Sequence, residues 1–272
     1  MELTEREKDT KQKAINFVET HKDELIEQFI TSKKPLLVDI FSFFMARSPG
    51  AGKTEFSQRY LADIIGKIKS GLVKYLADYG MDVGSFRTLF IRIDADEVRE
   101  FLPQYQKTQE CKKITGNAHI VQGAVNKGLD ILRVYCFKNK ISFLHDSTFG
   151  NYKTMRTLVE KSLTLDRDVQ IFYLYLDPLM AWRFTKAREY LEGRNVLKET
   201  FVKQFFASQT SVDKIKREFG KRVQLNCILK DNRNKIVNVE FDVASVDSFL
   251  EEQYNKNLIR KYSPDNLRHL IV

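Results

Sequence analysis

A chain of 272 residues is long enough for one large α/β domain or two small ones, and for a sizeable buried core. Its 43% hydrophobic and 30% charged content excludes a disordered chain, and its formal net charge of +9 favours anionic partners such as nucleotides or phosphorylated metabolites. The 45 basic and 36 acidic residues are scattered without a long basic run, which reads as a solvated, mixed-charge surface.

Cys111, Cys136 and Cys227 are odd in number and widely spaced, which argues against a disulfide framework and against a zinc site. The opening "MELTEREKDTKQKAINF" is charged from the start and has no signal-peptide core. The longest apolar stretch, "PLLVDIFSFFMA", is too short to span a bilayer and contains Asp39. A cytoplasmic protein with no membrane partner is expected.

In chain order, residues 4–31 carry helical spacing, with Ile15, Val18, Leu25, Ile26 and Phe29 on an apolar stripe and Phe17 to one side. Such a stripe usually seeks its own core; docking a partner and built-in inhibition are the alternatives. Val38–Met45 is β-rich and apolar on both faces, as a central parallel strand should be. Thr54 opens a helical region to about Tyr79, "DYGMDVGS" breaks it, and "LFIRID" is a second buried strand. A helix over 118–137 precedes a third strand, "ISFLHD"; another helix leads to a fourth, "VQIFYLYLD", which Pro178 stops. Helices over 179–191 and 198–219 flank "EGRNV". "VQLNCILK", the turn "DNRN" and "KIVNVEFD" read as a β-hairpin, followed by a closing helix near 246–255. Short apolar strands alternating with helices predict a three-layer α/β fold with a mostly parallel central sheet. The simplest division is a helical N-terminal extension (1–34) on one domain (35–272) that ends in the hairpin and helix.

Between the first strand and its helix stands "RSPGAGKT", Arg47 to Thr54. The pattern G-x-x-x-x-G-K-[ST] in this position forms a phosphate-binding loop. Ser48, Pro49, Gly50, Ala51 and Gly52 would turn successive backbone N–H groups toward the phosphates of ATP or GTP. Lys53 would bridge the β- and γ-phosphates, and the Thr54 hydroxyl would coordinate Mg²⁺. Arg47 occupies the first glycine's place, which is tolerable where φ is negative.

Acids follow the next two strands. Asp94 and Asp96 lie past the end of the second, the edge where open parallel sheets bind ligands. One of them would accept a proton from an acceptor hydroxyl, or else cap the following helix. Asp146 ends the third strand, where an acid holds Mg²⁺ directly or through water, or caps. His145 beside it reads as a structural neighbour. Arg183, Arg188 and Arg194 lie on a helix and its following turn, where they would neutralise charge during phosphate transfer or else stay solvated.

Together these segments resemble the zeta toxins, P-loop kinases of bacterial toxin–antitoxin systems, over about Leu36–Phe205. The motifs that carry the resemblance are "PGAGKT", the D-x-D of "IDADEVREFLPQY", Asp130 on the next helix, "FLHDST", and Arg188 with Arg194 in "EGRNV". The resemblance implies that Lys53 and Thr54 bind ATP and Mg²⁺, and that Asp96 activates the acceptor hydroxyl. It implies an acceptor pocket lined by Asp96, Asp130, Asp146 and Thr148, with Arg188 and Arg194 on the phosphates. The implied reaction is ATP-dependent phosphorylation of UDP-N-acetylglucosamine at the sugar 3′-hydroxyl, and the implied protein partner is a small helical antitoxin. Three departures bear on the acceptor: Arg47 replaces the first loop glycine, both pocket acids are a methylene shorter than the family's glutamates, and Gly150 stands where the family has an arginine.

Two other readings remain open from the residues. One keeps the kinase but changes the acceptor to a nicotinamide dinucleotide, another nucleotide or an antibiotic. The other is a non-catalytic, nucleotide-dependent binding module. Nucleic acid is not expected as a partner, because the Tyr and Phe residues fall mostly in core-like segments.

Overall fold

The chain opens with two helices where the apolar spacing predicts one. α1 (Glu5–Thr20) and α2 (Lys22–Phe29) meet at His21, which ends the first and begins the second. Near the break the Thr20 hydroxyl bonds back to the Asn16 and Phe17 carbonyls, and the His21 ring stacks on Phe17 at 4.0 Å. Such side-chain bonds compete with the helical ladder. Around the break Ala14, Val18, Leu25, Phe29 and Ile30 are buried, whereas Ile15, Phe17 and Ile26 are partly so. The computed structural model describes residues 3–35, 40–51, 90–107, 116–192 and 196–271, side chains of 190–192 apart.

Six strands form one sheet in the order β2-β3-β1-β4-β5-β6. They are β1 (Phe41–Arg47), β2 (Ile91–Asp94), β3 (Phe143–Asp146), β4 (Asp168–Tyr175), β5 (Val223–Lys230) and β6 (Ile236–Glu240). β1 to β5 run parallel and β6 pairs antiparallel with β5. All of β1, and all but one residue of β4 and of β5, is buried, so the sheet is covered on both faces as the Phe- and Leu-rich runs require. The terminal hairpin is therefore part of the main sheet: β5 is its last parallel strand.

The remaining helices are α3 (Ala95–Phe101), α4 (Gln122–Lys138), α5 (Tyr152–Thr164), α6 (Pro178–Glu192), α7 (Lys198–Phe219), α8 (Val246–Asn255) and α9 (Pro264–Leu270). The sequence reading omits α9, although its start is signalled by a Ser263 cap, Pro264 in the first turn and a capping box with Asn266. α1 and α2 pack on α4. α3 packs on α4 as well, and Gly128 permits that approach: a Cβ there would lie 2.7 Å from Val98 Cγ1. α7 lies against β1 and β5 and carries α5, α8 and α9.

At the sheet's N-terminal edge, buried Arg167 donates to Ser42 Oγ (2.7 Å) and to the carbonyls of Phe41 (2.6 Å) and Ile141 (2.7 Å). It ties the starts of β1, β3 and β4 through its Nε and Nη2 donors, although burial lowers its pKa to about 10. Cys136 and Cys227 are buried thiols, and burial pushes that of Cys136 up to about 12. Among the described residues no helix is long and apolar enough to cross a membrane.

Candidate active site

Parallel strands all end on one edge, and ligands gather there. The register sets Met45 of β1 and Asp94 of β2 on either side of Asp146 of β3. Over this edge opens a cleft of about 1080 Å³, larger than one small ligand needs. The loop residues Pro49 and Gly50 line it, as do Asp96, Asp130, Asp146, Thr148 and Arg188.

The loop begins as β1 ends. Ala51 N–H reaches the Ser48 carbonyl at 3.4 Å, and Gly50 takes φ +78°, a left-handed conformation that glycine adopts freely. A Cβ on Gly50 would also fall 2.0 Å from the Ala181 carbonyl oxygen and 2.5 Å from Thr185 Oγ1, so the loop is pressed against α6. Ser48 and Ala51 are buried, and Lys230, at the end of β5, reaches the Ala51 carbonyl at 3.4 Å. Gly52, Lys53 and Thr54 lie outside the described residues, as does Arg194.

Arg47 is the last residue of β1 and 5% exposed. Its Nη2 donates to Asp146 Oδ1 at 3.1 Å. The other carboxylate oxygen of Asp146 accepts from Arg92 Nη2 at 3.1 Å and Nε at 3.3 Å. Arg92 also pairs with Asp94, and with Glu97 at 2.7 Å. Burial works against its charge, but Asp94, Asp146 and Glu97 outweigh that and raise its pKa. Neither arginine was singled out for this role in the sequence. Arg47 registers there as a lost glycine, and Arg92 as one charge in an apolar run.

The paired acids separate by position. Asp94 is the buried N-cap of α3, accepting from Asp96 N–H at 2.8 Å. Asp96, in the first turn of the helix, faces the cleft and pairs with Arg99 Nη1 at 2.8 Å. Asp130 is an exposed acid of α4 paired with Arg133, also on the cleft wall. Thr148 is partly buried beside Phe149, a bulky residue at φ +60° that is held in place by burial and by the Phe44 ring at 6.2 Å. Arg188 on α6 is partly buried in the cleft, whereas Arg183 is exposed and turned to Met180. His145 is buried edge-on to Phe44 at 6.2 Å and also lines the cleft. The sequence reading missed Arg99 and Arg133; their only sequence signal is the i,i+3 spacing from Asp96 and Asp130.

The zeta toxin family matches residues 22–240, from the start of α2 to the end of β6. No curated protein matches the chain in sequence. Among solved structures it is similar to one from the PezAT chromosomal toxin–antitoxin system of the human pathogen Streptococcus pneumoniae. The TM-score is 0.58 at 14% identity, over 99% of this chain and 94% of that one. It is also similar to the native AvrRxo1-ORF1:-ORF2 complex, with a TM-score of 0.59 at 11% identity over 87% of this chain and 71% of that one. The same complex with ATP matches at 0.57 and 11%, over 93% and 73%. These identities speak for the fold, while the family match spans most of the length: the chain belongs to the zeta toxin family of P-loop kinases.

Proposed function

We propose that the chain is an ATP-dependent small-molecule kinase that transfers the γ-phosphate to a hydroxyl of a nucleotide-sugar, with UDP-N-acetylglucosamine as the first acceptor to test. The observation that carries this reading is a single cleft bounded by the Gly50 turn, Arg188 and Asp96. A phosphate loop, a cation and a carboxylate are what transfer to an alcohol needs. Asp96 is the base that takes the hydroxyl proton, Arg188 neutralises charge on the transferred group, and Asp130 and Thr148 position the acceptor. Lys53 binds the ATP phosphates, Thr54 takes the accompanying Mg²⁺, and Arg194 contacts the phosphates. The AvrRxo1 complex with ATP, on a similar fold, supports that nucleotide.

Among the described residues no group of three or more His, Cys, Asp or Glu side chains is arranged to hold a metal ion. Both oxygens of Asp146 accept from guanidinium groups. A Mg²⁺ would therefore arrive with the nucleotide, where Thr54 would hold it and Asp146, already paired with two arginines, would act on it only through water. Bound there, the ion would neutralise the β- and γ-phosphates.

A protein partner is part of the same reading. The PezAT and AvrRxo1 relatives come from a toxin–antitoxin system and a two-protein complex, which supports an antitoxin here.

The test is to incubate the protein with Mg²⁺-ATP and UDP-N-acetylglucosamine and follow the products by phosphorus NMR. A sugar phosphomonoester is expected, formed about 10²- to 10⁴-fold more slowly by Asp96→Ala. ADP without sugar phosphate would move the acceptor to a dinucleotide or an antibiotic. No ATP consumption with any of them would overturn the kinase reading in favour of a binding module.

A further inference from the structure

Arg99 on α3 and Arg133 on α4 are 8% and 7% exposed, yet both line the cleft. The two helices pack on each other. Arg99 donates to Asp96 and, at 2.9 Å, to Gln122 Oε1; Arg133 donates to Asp130. A guanidinium fork carries more donors than these bonds use. The Nε of each is buried with no hydrogen-bond partner. Leaving a buried donor of a charged group unmade is unfavourable, so native proteins rarely do it without reason. The Asp130 side chain is 65% exposed, so its pairing with Arg133 is a weak one that a ligand can displace.

We propose that Arg99 and Arg133 form an anion subsite at the acceptor end of the cleft, and that it takes the phosphate or diphosphate of the acceptor. The inference rests on the kinase reading for the word acceptor, but the subsite stands on its own geometry. Each planar fork can match two phosphate oxygens in bidentate fashion, and both open on the same cleft. The Tyr105 ring, 6.0 Å from the Arg99 guanidinium carbon, adds an aromatic wall beside Arg99. The subsite selects among acceptors. A nucleotide-sugar and a nicotinamide dinucleotide both carry a diphosphate; a cationic antibiotic would meet two guanidinium groups and be repelled.

The experiment is calorimetric titration of the full chain, with its nucleotide site first saturated by Mg²⁺ and a non-hydrolysable ATP analogue. The probes are inorganic pyrophosphate, UDP-N-acetylglucosamine, nicotinamide adenine dinucleotide and free N-acetylglucosamine. Pyrophosphate is expected to bind, together with one of the two diphosphate-bearing compounds, which identifies the source. Arg133→Gln and Arg99→Gln should each weaken those affinities about 10- to 100-fold, the range for a lost charged hydrogen bond. Affinity for the ATP analogue reports whether the variants fold. Arg133→Lys, which keeps the charge but not the fork, replaces any variant that does not, with the same loss expected.

Equal affinity of wild type and variants for pyrophosphate would overturn the subsite. So would free N-acetylglucosamine binding as tightly as its UDP derivative, or no probe binding at all. Arginine-dependent binding without phosphate transfer would leave the subsite and sink the kinase reading. Transfer with an unchanged KM in Arg133→Gln would do the reverse.

Discussion

Arg47 shows how a residue that breaks a motif can still belong to the site. Its place at the end of an extended strand accommodates a Cβ, and its guanidinium turns inward to Asp146 instead of crowding the phosphates. Breaking a buried ion pair by removing one partner costs about 3–5 kcal/mol, because the other charge stays buried. Here Arg92 remains on Asp146, so the lower end applies. Arg47→Gly, which restores the loop pattern, is expected to lower unfolding stability by about 3 kcal/mol in urea titrations. An unchanged midpoint would show that Arg92 alone satisfies Asp146. Asp94, Asp96 and Asp146 were legible because each lies at or just past the end of a strand that its apolar run announces, whereas Asp130, within α4, came only with the family resemblance. The arginines were not legible. A sequence gives the charge of Arg92, Arg99 and Arg133 but not that each side chain is turned inward, which only the packing of α3 on α4 and the pairing of β2 with β3 decides.

At the scale of elements, the strands were legible where the apolar run is long and bounded by turns, as in β4 and β5. The break between α1 and α2 was not, because the apolar stripe continues across it and the Thr20 and Phe17–His21 contacts are local side-chain geometry that apolar spacing does not report. The role of β5 as both hairpin arm and parallel strand was equally hidden, since a sequence does not name a strand's neighbours. Ile15 and Ile26 of the stripe are only partly buried, while Val18, Leu25 and Phe29, together with Ile30 beyond it, are at most 5% exposed in a core shared with α4. Each such side chain contributes about 1.5–3 kcal/mol when buried, so the four together rival the ~5–15 kcal/mol net stability of a domain. Deleting residues 1–34 is therefore expected to give insoluble or unfolded protein, judged by circular dichroism and gel filtration. A folded truncation with raised ATP turnover would instead make the helices an inhibitory segment.

The whole molecule ties its C-terminal end back to the elements that wall the cleft. Tyr262 donates to Asp177 at 2.8 Å, and Asp177 accepts from Leu179 and Met180 in the first turn of α6, the helix that carries Arg188. Asp213 of α7 does the same for α8, accepting from Val246 N–H at 2.5 Å and Asp247 N–H at 3.1 Å. Burial pushes the Asp213 carboxyl up to about 6, against the two backbone bonds that pull it down. Asp247 adds repulsion, while burial keeps neighbouring Tyr173 and Cys227 neutral over this range. The sign follows from proton counting. Between about pH 4 and 6 the folded chain holds more protons at this site than the unfolded chain, so its contribution is largest on the acid side. That contribution is lost as pH rises through about 6. The stability difference between wild type and Asp213→Asn should thus fall across that interval, by at most about 1.4 kcal/mol per pH unit, and level off above it. Urea denaturation of both proteins at a series of pH values measures it, and the subtraction removes the opposite slope of the paired carboxylates. A difference that stayed flat would mean that the cap on α8 keeps Asp213 ionised throughout, and that its two backbone bonds outweigh its burial.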